Sequence, residues 1–227
     1  MIPVYIVTGF IGSGKSTFIN KQLQYRKKLG GTAIISAEEG SEPLIKEPLQ
    51  LNADELSAIV PSDIKSYELI ACKIADYVKR LQPKELWIEW NSMVSFHQLE
   101  ALLYSDILSH LVQIEKVLYI CTDQFVSTIL PGLGNDVMSQ LYSADCIITE
   151  SDTHHALLRT YNGEAKIVTT PTPEKVEQLC RNSTWGLIPN LLIIGVTTYI
   201  LLVTAFRHDI PYSIHQCFAI ITGLIIE

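Results

Sequence analysis

An α/β fold on a mostly parallel sheet is what this sequence predicts, and three observations predict it. Short apolar runs of β-rich composition recur along the first 170 or so residues. Segments of helical composition alternate with them, the pattern of βαβ units. A glycine-rich stretch at residues 9–16 lies between the first apolar run and the first helical segment.

Each element follows in order. Residues 3–7 form a strand that ends in Thr8-Gly9. Residues 16–28 are helical and stop at Gly30-Gly31. Residues 32–37 are the second strand. Residues 38–65 are acidic and hold Pro43, Pro48 and Pro61, so they read as a long loop with one helical turn at most. Residues 67–81 have helical spacing and end before Pro83. Residues 85–90 are the third strand and 96–111 a helix. Residues 116–122 are the fourth strand, and 124–142 are mostly helix, broken around Pro131-Gly132. Residues 145–149 and 152–161 are a strand and a helix. Residues 165–169 and 173–181 repeat that pair.

The composition limits the partners. The 227 residues carry a net charge of −7, and no stretch is basic enough for a nucleic-acid groove. The five cysteines, Cys72, Cys121, Cys146, Cys180 and Cys217, are scattered without a CxxC pair. That spacing is neither a disulfide framework nor a zinc site. Cys121 and Cys146 lie in apolar runs and read as buried, reduced thiols. His154 and His155 are adjacent and read as surface residues.

Residues 9–16, Gly9-Phe10-Ile11-Gly12-Ser13-Gly14-Lys15-Ser16, fit the pattern G-x-x-x-x-G-K-[ST]. Gly9, Gly12, Ser13 and Gly14 can turn successive N–H groups inward as a nest for phosphate oxygens. The following helix aims its positive end at the same anion. Lys15 reaches the β- and γ-phosphates, Ser16 offers its hydroxyl to Mg2+, and Thr17 is placed for the α-phosphate. The fold expected is a P-loop NTPase, with helices on both faces of the sheet.

Hydrolysis needs an acid near the metal or the attacking water. Glu89, at the end of Leu86-Trp87-Ile88-Glu89, is the main candidate. Glu38, Glu39 and Glu42 follow the second strand and could approach the metal, or form a solvated acidic loop. Asp123 closes the fourth strand and reads chiefly as a helix cap. Asp152 follows the fifth strand, where a base-reading aspartate or a helix cap would stand.

With these residues placed, the chain resembles the CobW/HypB/UreG-type P-loop GTPases, nearest their CobW branch, over roughly residues 2–170. Residues 3–17 look like that family's opening strand and loop. Glu38-Glu39-Gly40 is similar to its Asn-Glu-x-Gly, with Ala37 in place of Asn. Ile88-Glu89 resembles its strand ending in Glu. Asp123, Gln140 and Ala144-Asp145 resemble its fourth-strand aspartate and the Gln and Ala-Asp before the base-recognition strand. Three departures stand out. The Cys-x-Cys-Cys metal motif is missing, with only Cys72 in that interval. Glu-x-x-Gly reads Glu89-Trp90-Asn91-Ser92. Asn-Lys-x-Asp reads Thr149-Glu150-Ser151-Asp152, so an acid replaces the lysine that would cover the guanine ring.

The last segment differs in kind. Residues 187–206 carry no charge, enough for a helix spanning roughly 30 Å. Arg207-His208-Asp209 follow, then a second apolar run at 210–226 that holds His215 and Gln216. The expectation is a nucleotide-binding domain at 1–182 and a transmembrane helical hairpin at 183–227. Lys175 and Arg181 place the first domain on the cytoplasmic side; a second soluble core, and a cytoplasmic protein, is the alternative.

The resemblance implies a GTP-binding protein or slow GTPase related to metal- and cofactor-delivery GTPases, with ATP left open. A membrane partner such as a transporter, or a homodimer, is compatible with that role. Lys15 and Glu89 would be catalytic, Ser16, Glu89 and Glu38 would serve the metal, and Asp152 would select the base. The alternative is a non-hydrolysing regulatory or anchor subunit. A small-molecule kinase is disfavoured, because Arg26, Arg80, Arg159 and Arg181 form no lid over the phosphates.

Overall fold

The computed structural model describes residues 1–26, 31–38, 42–57, 59 and 64–181. Residues 1–181 form one unit, and among the described residues all strands join one sheet. The strands are β1 (Ile2–Gly9), β2 (Thr32–Ser36), β3 (Leu49–Gln50), β4 (Glu85–Glu89), β5 (Val112–Ile120), β6 (Cys146–Thr149) and β7 (Lys166–Thr169). Their order is β3-β2-β4-β1-β5-β6-β7, and every neighbouring pair is parallel. The helices are α1 (Lys15–Arg26), α2 (Ala53–Ser57), α3 (Ile64–Leu81), α4 (Phe96–Leu103), α5 (Asp123–Thr128), α6 (Asn135–Tyr142), α7 (His155–Tyr161) and α8 (Pro173–Arg181), with a 3-10 turn at Leu130–Gly132.

Helices cover both faces of the sheet, which is why its central strands are apolar without alternation. On β1, Val4 and Ile6 point to one face, where they join Ile70, Ile74 and Val78 of α3 and Leu99 and Leu102 of α4. Tyr5 and Val7 point to the other face, against Ile19 and Leu23 of α1 and Val176 and Leu179 of α8. A third cluster gathers α5, α6 and α7 around Tyr119, Cys121 and Ile147. Burying each such aliphatic side chain contributes about 1.5–3 kcal/mol.

The expected strands and helices are present, with four differences of extent. β5 begins at Val112, because Ile2, Pro3 and Val4 pair with Val112, Gln113 and Ile114. A register shift between Val4 and Tyr5 leaves Glu115 out of the ladder, and the polar residues there hide the strand in the sequence. α4 ends at Leu103 rather than running to 111. Ser105 lies just beyond its end, where its carbonyl accepts from the N–H groups of Leu108 and Ser109 and starts a turn instead. α7 begins at His155 rather than at 152. The loop expected over 38–65 contains β3 and α2. The Asn52 side chain accepts from Glu55 N at 2.9 Å and the Glu55 carboxylate accepts from Asn52 N at 2.9 Å. That reciprocal cap starts α2.

The apolar hairpin expected at 183–227 lies outside the described residues. Among the described residues no helix is long and apolar enough to cross a membrane.

Candidate nucleotide-binding site

The site lies at the carboxyl ends of the central strands, where the chain order reverses around β1. Residues 9–14 turn from β1 into α1. Gly9, Gly12 and Gly14 have φ of 137°, 77° and 89°, a region that side chains other than glycine rarely adopt. At Gly9 space adds a second demand, since a Cβ would lie 2.1 Å from the Ile120 carbonyl oxygen. Gly12 and Gly14 face open space instead. Phe10 anchors the loop by stacking on Phe125, with ring centroids 5.2 Å apart.

Lys15 opens α1 and is buried. Its ammonium donates to Gly9 O at 2.9 Å and Phe10 O at 3.0 Å, and pairs with Glu38 Oε2 at 2.7 Å. Ser16 Oγ donates to Glu89 Oε1 at 2.7 Å. The strands explain that contact: Val7 of β1 and Ser36 of β2 both stand in register with Glu89. Ser36 Oγ donates to the other carboxylate oxygen at 2.9 Å. Glu89 is thus a buried acid with a hydroxyl on each oxygen, held beside the first turn of α1. Thr17 Oγ1 donates to Glu42.

Residues beyond β4 close the site. Ser92 Oγ donates to Glu38 Oε1 at 2.9 Å, and Asn91 Nδ2 donates to Ala37 O at 3.1 Å. Gln140 of α6 accepts from Thr8 Oγ1 and donates to Asn91 O at 2.9 Å and Val94 O at 2.6 Å. One buried amide therefore secures both the end of β1 and the segment after Glu89.

Asp123, Glu150 and Asp152 sit past the ends of β5 and β6. The cap of α5 is Thr122, which accepts from Phe125 N at 3.2 Å. Asp123 instead accepts from Ser151 Oγ at 2.7 Å, and its N–H donates to Glu150 at 3.1 Å. Asp152 caps no helix either; it accepts from Thr169 Oγ1 at 2.7 Å. His155 corrects the surface reading. It is half-buried, and its Nε2 lies 2.9 Å from Thr149 Oγ1. Asp145 is structural, its carboxylate accepting from Val117 N at 2.7 Å.

Burial pushes the Cys121 thiol up to about 12, helped by Asp123 and Glu150. Burial likewise pushes Cys146 up to about 11. Both stay protonated at neutral pH, as expected of core thiols. Among the described residues no group of three or more His, Cys, Asp or Glu side chains is placed to hold a metal ion.

The loop fits a polyphosphate. Its backbone is committed to left-handed turns, and Ser13 Oγ is buried with no hydrogen-bond partner. An orphaned hydroxyl in a glycine turn ahead of a helix is what a phosphate oxygen would satisfy. Ser16 and Glu89 supply hard oxygen donors, enough for a magnesium ion that takes its other ligands from phosphate and water.

The sequence reading missed Ser36 and Ser92. Ser36 becomes visible only once β2 is known to lie beside β4. Ser92 was visible only as a lost glycine.

Residues 3–58 match the family described as CobW/HypB/UreG, nucleotide-binding domain. Among solved structures, the Zn(II)-bound YjiA GTPase from E. coli is similar at 17% identity and a TM-score of 0.52, covering 74% of this chain and 57% of YjiA. A Zn(II)-bound triple mutant of the YjiA GTPase gives 16% identity and a TM-score of 0.53, with the same coverage. The hydrogenase maturation factor HypB from Archaeoglobus fulgidus gives 13% identity and a TM-score of 0.47, over 79% of this chain and 89% of HypB. The chain thus spans little more than half the length of YjiA. No curated protein matches the chain. With its glycine loop closing the first strand of a parallel sheet, seven-stranded among the described residues, the chain shares the fold of the YjiA GTPase, and its residues 3–58 match the CobW/HypB/UreG nucleotide-binding domain.

Proposed function

We propose that this chain is a GTP-binding switch with slow GTPase activity. The observation that carries this reading is the contact of Ser16 Oγ with Glu89 at 2.7 Å, directly behind the glycine loop. Loop amides and Lys15 bind the phosphates. Ser16 and Glu89 would hold Mg2+, which when bound would neutralise charge on the phosphates. Glu89 would also orient an attacking water. Asp152 reads the base edge; with Glu150 where a lysine would cover the ring, preference for GTP over ATP is weak. Glu38 stands on Lys15 rather than beside Ser16, and can serve the metal only after leaving that ion pair.

Single-turnover assays with GTP and ATP in magnesium test this, with Glu89→Ala as control. Slow turnover in the parent protein that is lost in Glu89→Ala, with nucleotide still bound, supports it. Equal and negligible turnover in both leaves the second reading, a regulatory subunit that binds without hydrolysing. Ser92, standing where the resembled family's Glu-x-x-Gly has its glycine, favours that reading.

The zinc in YjiA belongs to YjiA; metal or cofactor delivery is an extension of the proposal to this chain. So is tethering through the apolar run at 187–206. Partitioning of the full chain into detergent and out of buffer supports tethering, and a full chain soluble without detergent refutes it.

A further inference from the structure

Lys15 has three N–H donors, and all three are engaged. Two go to loop carbonyls. The third goes to the Glu38 carboxylate at 2.7 Å, and this pair is nearly dry, with side-chain exposures of 3% and 14%. A phosphate oxygen bound by Lys15 must therefore replace one of three existing partners. Only Glu38 competes with it charge for charge. An approaching polyphosphate repels that carboxylate while attracting the ammonium, so the exchange falls on Glu38.

Glu38 is held in this position from two further sides. Ser92 Oγ donates to Oε1 at 2.9 Å, which leaves Oε2 for Lys15. The single Ser36 hydroxyl proton is shared between the Glu38 backbone carbonyl and Glu89 Oε2, each 2.9 Å from Oγ. The anchor at position 92 is a property of this chain, since a glycine there has no hydroxyl to offer.

Resting on the nucleotide-binding reading above, we propose that Glu38, positioned by Ser92, is a built-in competitor of the nucleotide phosphates for Lys15. Nucleotide entry displaces the carboxylate, breaks its bond to Ser92, and so transmits phosphate binding to the segment after β4. Glu38 is then a determinant of nucleotide affinity in its own right, independent of magnesium.

The test is equilibrium binding of fluorescent GDP and GTP analogues to the full chain, in magnesium and in EDTA. The variants are Glu38→Gln, Ser92→Ala and the double variant. Glu38→Gln removes the charge at constant size and is expected to bind about 10-fold tighter in both conditions, as befits loss of one charge-assisted contact. Ser92→Ala leaves every charge in place and is expected to bind about 3-fold tighter, because the carboxylate leaves Lys15 more easily. It also carries the test if thermal unfolding shows that Glu38→Gln is not folded. The double variant is expected to match Glu38→Gln alone, since Ser92 acts only through Glu38. Unchanged or weaker binding of folded Glu38→Gln in EDTA overturns the proposal, as does an additive double variant. Weakening confined to magnesium also overturns it and makes Glu38 a metal ligand. If the parent protein binds neither analogue, the nucleotide-binding reading itself is what fails.

Discussion

Replacing Gly9 with alanine isolates how the phosphate loop is fitted to the sheet. The Gly9 φ of 137° lies outside any well that an L-residue occupies at low cost. That strain alone costs about 1–3 kcal/mol. The new Cβ would also sit 2.1 Å from the Ile120 carbonyl oxygen, far inside van der Waals contact. The obstacle is backbone of β5, paired with β1 along eight positions, Ile2 to Gly9. It cannot swing aside as a flexible side chain would, so an overpacking cost of about 1–3 kcal/mol adds to the strain. The sum is about 2–6 kcal/mol, against a total stability of about 5–15 kcal/mol for an ordinary domain. Gly12→Ala is the matched control. It also replaces a glycine of positive φ, 77°, but its Cβ meets nothing within 4 Å. Its expected cost is about 1–2 kcal/mol. Thermal unfolding monitored by circular dichroism reads both, and Gly9→Ala should melt about 5–10 °C below Gly12→Ala. Equal melting temperatures would refute the argument, because they would mean that the β5 carbonyl imposes no constraint on the loop.

Three further predictions concern other parts of the molecule. Lys15→Ala should abolish measurable nucleotide binding in equilibrium titrations and also lower the melting temperature, because it leaves the largely buried Glu38 carboxylate and two loop carbonyls without their partner. Asn162 is buried and donates to the carbonyls of Leu141, Tyr142 and Ala144, while its side-chain oxygen accepts from Glu164 N and Ala165 N. Asn162→Ala should lower stability by about 2–4 kcal/mol in urea unfolding, since several buried backbone groups lose partners at once. The Cys121 and Cys146 thiols are held protonated in the fold, with values raised to about 12 and about 11 from 9.0. Unfolding frees both thiols to ionise near pH 9, so their contribution is fully present below pH 9 and is lost as pH rises toward 11–12. Urea midpoints measured from pH 8 to 11 should fall accordingly, and less steeply in a Cys121→Ala, Cys146→Ala variant.

The main line of the fold was legible because a parallel sheet covered on both faces writes itself as uninterrupted apolar runs. Residues 3–7 and 85–90 show this well. Where polar residues enter a strand, legibility ends: Gln113 and Glu115 conceal the first half of β5. The two-residue strand β3 has no pattern to detect, and its place is set by Leu49 pairing with Ile35. The Asn52 and Glu55 cap was a readable signal that the prolines on either side overshadowed. At the site, the loop residues and Glu89 were legible because a phosphate nest and a strand-end acid are local features. The link from Glu38 to Ser92 spans fifty-four positions and depends on which strands are neighbours. Nothing local encodes it. The same is true of Gln140, whose amide bonds reach Thr8 across 132 positions.

The close fit of Gly9 under the Ile120 carbonyl has a consequence for biosynthesis. The phosphate loop leaves the ribosome before β5, yet the surface it is moulded against is more than a hundred residues further along the chain. Until β5 has emerged and docked, the glycine turn has no template, and nascent chains that stop short of β5 should be blind to nucleotide. A nucleotide bound at this loop would therefore be a ligand of the assembled sheet and not an aid to its early folding.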